Sequence, residues 1–594
     1  MNKIVKKIKW LTELDSNIIL RVVDINGIKM RLYTNGYYNP GTFGLKQKTG
    51  NNIIVKITNN LSGKNCNCVD CKCFDNSQCK DSNKCTCIDC KCKCSNKCNC
   101  IDCKCFDNYK CNDKKTDCCG NIIDGIQPSC CIPDDYMPTS DNMVISMDNM
   151  YESDPCRWRL HFHGFWGPGH EDNYRKAIDV GQDYTFTYKI DKNHSIGLFI
   201  AHNHNYTTAE SQVSFSSFPI KLYNDQNEFP SIKDENKIEL FIQQLYMVPS
   251  SDPTVEQNTG SDYEIFNFYY WNKQSDFNTA IAKSTKFILV NGSIEPYLYL
   301  PINELCLLDI AWFGIDDTCR LTILDDINNP IEYRIVKIDC LPIPSNKKMF
   351  VKNFLLAHLQ RITISFLLPK YGQYRVMKCP TKEEASGSFS AGTKLMFFIN
   401  GFLAKNSCQN ILSDLQYINI NLDYWQNIAN KYFRNLNNVI AYRNMLFNFP
   451  NMGGQIMNND YKQIQMIKDR SEIWIVGSED GGTHSYHIHL MNFLIIAWRN
   501  GSQKWKRIER EQQHFQDTLI IKPNIQFLVW NFPIKYTGKA MTHCHLLRHE
   551  SNAMMLNLYI SPNKNDKASG VGIFDPTPEI ISIVKQSSIG DFKN

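Results

Sequence analysis

Residues 542–554 read Thr542-His543-Cys544-His545-Leu546-Leu547-Arg548-His549-Glu550-Ser551-Asn552-Ala553-Met554. Imidazole is the commonest protein ligand for transition metals, and a site of two histidines, one cysteine and a weak axial methionine holds electron-transfer copper. His484 completes that set together with Cys544, His549 and Met554. The stretch therefore predicts a copper site, and it leaves the other clustered histidines to be explained.

The histidines of this chain are strongly clustered. Ten of the 14 fall into four groups, which are His161 and His163, His202 and His204, His484, His487 and His489, and His543, His545 and His549. Side chains two residues apart on an extended strand point to the same side, so each His-x-His pair offers two imidazoles to one metal cluster. Four such pairs give eight ligands, which suits three copper ions with open positions for dioxygen.

The order His543-Cys544-His545 predicts a connection between two metal centres. Alternation along an extended strand sends Cys544 to one side and both histidines to the other. One short peptide stretch then joins the thiolate-bound copper to the second centre, which gives electrons a short covalent route.

These residues resemble the four copper motifs of the multicopper oxidases, the laccase-like family, and are most similar to its bacterial spore-coat laccase and bilirubin oxidase branch. Residues 482–490 resemble the third motif of that branch, and residues 543–555 resemble the fourth. The resemblance extends beyond the ligands to Ile288-Leu-Val-Asn-Gly292 with Pro296-Tyr297, to Glu472-Ile-Trp474 and to Asp517-Thr518. It covers nearly the whole chain outside residues 62–150.

The resemblance implies four copper ions and a role for each motif residue. His484, Cys544, His549 and Met554 would bind the type 1 copper, His161 and His487 the type 2 copper, and His163, His202, His204, His489, His543 and His545 the type 3 pair. It implies that single electrons leave a reducing substrate at the type 1 site and that four of them reduce dioxygen to two waters. The protein then sets geometry, potential and proton supply.

Dioxygen reduction consumes protons, so carboxylic acids near the three-copper cluster are expected. Glu550 matches an acid of the spore-coat branch, and Asp172 keeps the spacing of that branch after His163. The alternative interpretation is a pair of surface carboxylates. Two positions depart from the family pattern, since Ala201 precedes His202 where an aromatic pair is usual, and Ser485 replaces a proline. Neither departure removes a ligand.

Length and patterning predict an all-β protein of several domains. With about 150 residues per domain, 594 residues predict three or four units. Alternating apolar residues at 52–58, 183–189 and 520–530 predict half-buried strands. Together with the resemblance, this predicts three cupredoxin-like β-sandwich domains at residues 1–225, 226–385 and 386–594. The first would contain a Cys- and Met-rich insertion at 62–150, and the third would carry the type 1 copper.

Charge and hydropathy exclude several function classes. The chain has 65 basic and 60 acidic residues, a formal net charge of +5 and no basic run interleaved with aromatic residues, so we expect no nucleic-acid partner. No stretch of about 18 apolar residues occurs, so we expect no membrane span. The basic segment 1–11 lacks the apolar core of a secretory signal. We therefore expect a cytoplasmic or virion-packaged protein rather than a secreted one.

Residues 66–119 form a second unusual region, because they hold 17 of the 26 cysteines. The motif Cys-x-Cys-x-x-Cys-x-Cys occurs three times, starting at Cys66, Cys85 and Cys98. Apolar residues are too few here to build a separate core. The first interpretation is a loop that binds Cu(I) or Zn(II) and resembles metallothionein, because soft thiolates select these ions. The alternatives are disulfides, which need an oxidising compartment, and a repeat without chemistry.

Four methionines follow this region at Met137, Met143, Met147 and Met150. Thioethers also suit Cu(I), whereas four methionines in a polar loop can equally have no role.

Two function classes remain open. The complete ligand set favours an enzyme, a copper-dependent oxidoreductase with dioxygen as acceptor and a small reducing substrate, either a phenol-like organic donor or a low-valent metal ion. The alternative is a copper-sequestration protein that uses the Cys-rich insertion. The four remaining histidines, His170, His194, His358 and His514, are interpreted as ordinary structural residues.

Overall fold

The computed structural model describes residues 4–11, 17–25, 28–34, 43–59, 158–172, 177–178, 182–204, 217–249, 263–265, 285–314, 318–344, 347–379, 394–404, 411–418, 422–433, 436–457, 462–509, 512–533, 535–551 and 553–588. The Cys- and Met-rich insertion predicted at 62–150 lies outside these residues. Within them, no helix has both the length and the apolar character to cross a membrane.

In its described residues, the first sandwich has ten strands: β1 (Lys9–Leu11), β2 (Asn17–Ile25), β3 (Ile28–Thr34), β4 (Phe43–Lys48), β5 (Asn52–Asn59), β6 (Trp158–His163), β7 (Ala177–Ile178), β8 (Asp183–Lys189), β9 (Gly197–Asn203) and β10 (Ser217–Tyr223). They form a six-stranded sheet, β1-β4-β10-β9-β6-β7, and a four-stranded sheet, β3-β2-β5-β8. Val55 of one sheet and Phe199 of the other lie in the same apolar core. The two sheets therefore pack face to face.

The part of the middle sandwich that the structure describes has fourteen strands: β11 (Lys237–Pro249), β12 (Tyr263–Ile265), β13 (Thr285–Val290), β14 (Ser293–Ile294), β15 (Tyr297–Pro301), β16 (Cys306–Phe313), β17 (Cys319–Leu324), β18 (Tyr333–Ile338), β19 (Leu341–Pro342), β20 (Met349–Val351), β21 (Asn353–Leu356), β22 (Arg361–Phe366), β23 (Gly372–Cys379) and β24 (Lys394–Phe402). One sheet has the order β14-β13-β11-β16-β22-β18-β19, with β12 beside β11 and β20 beside β18, and the other is β15-β24-β23-β17-β21. Leu308 and Val376 join them in one core.

Thirteen strands are described in the third sandwich, with its gaps at 458–461, 510–511, 534 and 552: β25 (Val439–Asn448), β26 (Asn451–Met452), β27 (Ile464–Ile467), β28 (Ser471–Ser478), β29 (His484–Ile488), β30 (Phe493–Asn500), β31 (Lys506–Arg507), β32 (Phe515–Gln516), β33 (Thr518–Ile521), β34 (Ile525–Asn531), β35 (Gly538–Cys544), β36 (Met555–Ser561) and β37 (Ser569–Gly570). Its sheets are β26-β25-β28-β34-β30-β31, with β32 beside β30, and β33-β29-β35-β36-β27-β37. Met445 and Leu556 share the core between them.

Helices are few and short in the described residues. They are α1 (Gly169–Asp172), α2 (Leu422–Phe433), α3 (Leu547–Ser551) and α4 (Pro578–Ser587), with three-residue 3-10 helices at Asp234–Asn236, Leu412–Asp414 and Leu436–Asn438. Pro578 and the side chain of Thr577, which accepts a hydrogen bond from the Ile580 N–H, define the start of α4. Ile580 and Ile583 are buried and attach this helix to the third sandwich.

The strands follow the predicted patterning. In β5, Ile53, Val55 and Ile57 are buried while Ile54 is exposed, as expected for a strand with one face in the core. Burying each of these apolar side chains stabilises the fold by roughly 1.5–3 kcal/mol. All eight residues of β28 are buried instead. The predicted all-β fold class is confirmed.

One predicted domain boundary is wrong. The boundary near residue 225 falls between β10 and β11, the last strand of the first sandwich and the first of the middle one. The boundary at 385 precedes β24, yet β24 pairs with β15 and β23 of the middle sandwich. The middle sandwich therefore extends to at least residue 402, because a division at 385 would separate a strand from its own sheet.

The first and third sandwiches approach closely at α1. The Gly169 N–H donates to the Thr537 carbonyl at 2.9 Å. A Cβ atom at residue 169 would lie 2.5 Å from the Lys539 carbonyl oxygen, so only glycine allows this approach. The contact places Gly169, the first residue of α1, against β35, the strand that carries His543 and Cys544.

Candidate metal centres

The four His-x-His pairs of the sequence meet between the first and third sandwiches. β6 lies beside β9 with His161 opposite His202, and β29 lies beside β35 with His487 opposite His543. The group comprises His161, His163, His202, His204, His487, His489, His543 and His545, all at most 4% exposed, and is called the eight-histidine cluster below. Strand pairing within each sandwich thus brings residues far apart in sequence to one place.

Each histidine of the first sandwich faces one of the third. The His161 ring stacks on His489 with centroids 3.8 Å apart, and the His163 ring stacks on His487 at 3.9 Å. The other two facing pairs are His204 with His543 at 5.0 Å and His202 with His545 at 5.1 Å. Neither sandwich can form the cluster alone.

Several ring nitrogens of the cluster lack a hydrogen-bond partner within the described part of the chain. They are Nε2 of His161, His487 and His545 and Nδ1 of His163. A buried polar atom without a partner costs about 1–3 kcal/mol, so a ligand is expected at these nitrogens. Groups such as His204, His489 and His543 bring three ligand atoms within 4.8 Å of one another. Imidazole nitrogens at such spacing suit copper or zinc.

Burial favours the neutral form in seven of these imidazoles. Together with the neighbouring His489, it lowers the pKa of His161 to about 4, although Asp172 opposes the shift. Burial and the neighbouring histidines also lower the pKa well below its ordinary value at His163, His202, His204, His487, His543 and His545. The neutral ring is the form that offers a lone pair to a metal.

Asp172 is buried at the end of α1 and connects two cluster histidines. Its two carboxylate oxygens accept hydrogen bonds from Nδ1 of His161 and Nδ1 of His489, both at 2.8 Å. With Nδ1 protonated, Nε2 of each ring points into the cluster. Burial raises the pKa of Asp172, but the two histidines outweigh it and hold that pKa below its ordinary range. The carboxylate is therefore neither at the surface nor protonated.

Residues Asp517 and Thr518 support the opposite side of the cluster. The Nδ1 atom of His487 donates to the Asp517 carbonyl at 2.8 Å. The Thr518 hydroxyl lies 3.1 Å from Nε2 of His163. His163 therefore turns its Nδ1 inward, whereas His487 turns its Nε2 inward.

A buried ion pair holds Asp517 in place. Arg361 of the middle sandwich donates to both carboxylate oxygens of Asp517, at 2.9 and 2.5 Å. Asp339 accepts from the backbone N–H groups of Asp517 and Thr518 at 3.0 and 3.1 Å. Gly164 has φ +81°, and a side chain there would collide with the Arg361 guanidinium. The middle sandwich thereby holds Asp517 and Thr518, the two residues that contact His487 and His163.

The second metal-ligating group lies on the other side of β35. The Sγ atom of Cys544 is 3.6 Å from Nδ1 of His484 and 3.4 Å from Nδ1 of His549, and the two nitrogens are 3.1 Å apart. These three residues are called the cysteine site below. Met554 is fully buried in the same core, and its carbonyl accepts from the Cys544 N–H at 3.0 Å.

The cysteine site is shielded except at one edge. His484 and Cys544 are fully buried, whereas His549 is partly exposed. Burial raises the pKa of Cys544 to about 12, so the thiol would lose its proton on binding a metal. The outer nitrogen of His484, Nε2, lies 2.9 Å from Asp480. Burial raises the pKa of Asp480, but the hydrogen bond and charge of His484, together with the backbone N–H groups of Phe449 and Gly482, outweigh it and hold that pKa below its ordinary range.

Glu550 is fully buried beside the eight-histidine cluster. Its carboxylate oxygens lie 3.6 Å from Nε2 of His204, 3.5 Å from Nδ1 of His543 and 3.4 Å from Nδ1 of His545. The interpretation of Glu550 and Asp172 as surface carboxylates is therefore wrong.

The two groups are joined through the backbone, as the alternation at His543-Cys544-His545 predicts. Cys544 belongs to the cysteine site, and its two neighbours belong to the eight-histidine cluster.

Sequence reasoning missed several residues that support the ligands. One of them is Asp480, which contacts the ligand His484. Two others, Arg361 and Asp339, hold Asp517. The fourth is His358, whose Nδ1 lies 3.3 Å from Nδ1 of His545. The position of Asp480, four residues before His484, was the one available signal. Of the other unassigned histidines, His194 bonds locally to Trp166 and Ser195.

Comparisons with known proteins agree with this geometry. Residues 432–564 match the sequence profile of the multicopper oxidase family. A laccase from Haloferax volcanii is 25% identical over 143 residues, which is 24% of this chain and 23% of the relative. The aligned segment thus spans about a quarter of the curated relative.

Solved structures extend the likeness to nearly the whole chain at the level of the fold. The multicopper oxidase of Campylobacter jejuni, described as a metallo-oxidase, superposes with a TM-score of 0.60 at 14% identity, covering 94% of each chain. McoA of Aquifex aeolicus superposes with a TM-score of 0.58 at 13% identity, covering 94% of this chain and 100% of its own.

Proposed function

Because the chain carries a multicopper oxidase domain at residues 432–564 and resembles multicopper oxidases in its motifs and fold, we propose that it couples one-electron oxidation of a reducing substrate to four-electron reduction of dioxygen. The observation that carries this proposal is the joining of the two ligand groups through Cys544. A purely structural metal site has no need of that connection.

The residues present fit four copper ions. Soft thiolate with two imidazoles suits a type 1 copper, and we propose that His484, Cys544, His549 and Met554 would hold it. The eight-histidine cluster would hold the other three, with His161 and His487 at the type 2 ion and His163, His202, His204, His489, His543 and His545 at the type 3 pair. Bound copper would accept single electrons from the substrate and deliver four to dioxygen, which yields two waters.

Side chains of the protein are proposed to receive the reducing substrate and to supply the protons. The partly exposed ring of His549 offers the closest approach to the cysteine site for a reducing substrate. Glu550, buried among three cluster histidines, is proposed as the proton donor. Asp172 has both oxygens engaged and is held ionised, so it is proposed as a positioning residue. The catalytic role that the sequence analysis gave to Asp172 stays a prediction.

Two substrate classes remain, a phenol-like organic donor and a low-valent metal ion. One relative is named a laccase and another a metallo-oxidase, so the names of the relatives do not separate the two substrate classes. The test is to measure dioxygen uptake and donor oxidation together, with a phenol, Fe(II) and Cu(I) in turn, beside Cys544→Ser. The proposal predicts four donor electrons per dioxygen without peroxide, and loss of both signals in the variant. No uptake with any donor by copper-loaded protein would contradict it.

A second candidate function is copper sequestration by the insertion, because residues 66–119 contain 17 cysteines. Replacing these 17 with serine in the full chain separates the two candidates. An oxidase should keep four copper ions and its turnover, and lose only any extra metal. A sequestration protein should lose most of its copper, and neither form should consume dioxygen.

A further inference from the structure

The middle sandwich supplies no member of the eight-histidine cluster, yet one of its turns reaches that cluster. Residues 357–360 connect β21 to β22. The Gln360 side chain accepts from the Ala357 N–H at 3.0 Å and donates to the Thr518 carbonyl of β33 at 3.1 Å. Arg361, the next residue, pairs with Asp517. The turn is thereby attached to the third sandwich two and three residues after His358.

His358 points from this turn toward a cluster ligand. Its side chain is fully buried. Its Nδ1 lies 3.3 Å from Nδ1 of His545, and its Nε2 contacts the carbonyl oxygen of Gly314. The two imidazole centroids are 5.2 Å apart. His358 therefore lies between a backbone carbonyl and a ligand.

These contacts determine which nitrogens carry hydrogen. The Gly314 carbonyl can only accept, so Nε2 of His358 must donate. The ring is fully buried, and its nitrogens contact a carbonyl and an imidazole rather than a carboxylate, so burial favours the neutral ring. Its single hydrogen is then on Nε2, and its Nδ1 is an acceptor. The hydrogen between the two rings then belongs to Nδ1 of His545. Its Nε2, which has no hydrogen-bond partner in the described residues, is left with its lone pair directed into the cluster.

We propose that His358 is a positioning residue, which accepts a hydrogen bond from Nδ1 of His545 and so holds Nε2 of His545 toward the metal. The inference rests on the proposed function, because it assumes that the cluster binds copper. Ligating histidines usually donate to a carboxylate, a backbone carbonyl or water. Here the acceptor is a second imidazole, and the middle sandwich takes part in the site through it.

One other acceptor competes for the same hydrogen. Glu550 Oε2 lies 3.4 Å from Nδ1 of His545, close to the 3.3 Å distance to His358. Distance alone does not separate the two acceptors, but the chemistry of His358 does. If His545 donated to Glu550 alone, the lone pair of His358 Nδ1 would face His545 Nδ1 across 3.3 Å without receiving its hydrogen, and a buried acceptor would lose its donor.

The test uses the full chain with His358→Leu and His358→Asn. Leucine removes the acceptor at similar volume, while the asparagine amide can place an oxygen near the position of Nδ1. In the copper-free protein, two-bond proton–nitrogen correlations of ¹⁵N-labelled histidines report the tautomer of His545, whose signal is identified by its loss in His545→Gln. Copper is then titrated, and the histidine cluster is followed by metal content and electron paramagnetic resonance. The blue band of the cysteine site reports that each variant is folded.

We expect wild type and His358→Asn to hold the Nδ1–H tautomer of His545, and His358→Leu to show a mixture. Cluster copper affinity should fall about 10-fold or more in His358→Leu, the range seen when a ligand loses its support, and recover in His358→Asn. An unchanged tautomer and unchanged affinity in His358→Leu would overturn the proposal, as would a tautomer that changes in Glu550→Gln instead. If wild-type protein takes up no cluster copper, the proposed function fails, while the copper-free tautomer still tests the hydrogen bond.

Discussion

Oδ1 of Asp172 lies 2.8 Å from Nδ1 of His161, so the end of a four-residue helix determines the tautomer of a histidine eleven positions earlier. The other oxygen of Asp172 reaches His489 in the third sandwich. One carboxylate therefore orients ligands from both domains that build the eight-histidine cluster. The first and third sandwiches approach closely at Gly169, and this approach allows Asp172 to reach both histidines.

Replacing Asp172 with asparagine should weaken copper binding at this cluster about 10- to 100-fold, because an amide can accept from one of the two N–H groups but not from both. The cysteine site should keep its blue band. Copper titration of the full chain measures the effect. Glu171→Gln, which alters a carboxylate next in sequence, is the matched control, and equal copper affinity in both variants would contradict the assigned role.

Glu550→Gln should lower turnover about 100-fold or more while copper content stays complete, since general acid catalysis contributes effects of this size. The amide keeps the volume of the side chain but cannot deliver a proton. Steady-state dioxygen uptake together with copper analysis measures both quantities. Glu550→Asp, which retains an acid, should recover part of the rate. Turnover within about threefold of wild type in the fully loaded glutamine variant would exclude Glu550 as the proton donor.

Asp339 should make stability depend on pH. Burial and the neighbouring Asp517 raise the pKa of Asp339 to about 7, although Arg361 opposes the shift. The folded protein then binds more protons than the unfolded chain between about pH 4 and about pH 7, so stability falls as pH rises through that window. Asparagine does not ionise, so the unfolding temperature of Asp339→Asn should rise relative to wild type between about pH 4 and about pH 7.

The matched control for this pH effect is Asp326→Asn, which changes an exposed carboxylate of the same sandwich. Copper-free protein should be used, so that metal binding does not contribute. A constant difference in unfolding temperature between Asp339→Asn and wild type across the range would show that Asp339 is ionised throughout.

Asp480→Asn should raise the reduction potential of the cysteine site. The Asp480 carboxylate bonds to Nε2 of His484, and a negative charge there favours the oxidised, more positive state of a bound metal. Redox titration of the blue band measures the potential. Glu479→Gln removes a neighbouring charge without touching that bond and should change the potential less. An equal or larger change in Glu479→Gln would contradict a role for the hydrogen bond.

The fold class and the grouping of the ligands could be predicted from the sequence because both depend on local patterns. His-x-His spacing on strands and the alternation around Cys544 are local properties, and local geometry survives in any fold that keeps the strands extended. The alternating pattern at β5 likewise depends only on which face is buried.

Supporting residues were harder to predict because they depend on contacts between domains. His358 follows a short strand of the middle sandwich and has no neighbouring histidine in the sequence, so no local pattern distinguishes it from His194. Arg361 and Asp517 are 156 positions apart. The boundary at 385 was misplaced because β24 lies between β23 and β15 in its sheet, and the pairing with β15, about 100 residues earlier, is not a local property of the sequence. The closer likeness to the spore-coat and bilirubin oxidase branch stays a prediction.

The central claim is that Cys544 binds a type 1 copper joined to the eight-histidine cluster. The most direct measurement is the visible absorption spectrum of the copper-loaded full chain beside Cys544→Ser. We predict an intense blue band in the wild-type protein that is absent from the variant, while the variant keeps the copper of the histidine cluster. Folded, copper-supplied wild-type protein without the band, or a band that survives in the variant, would contradict the claim.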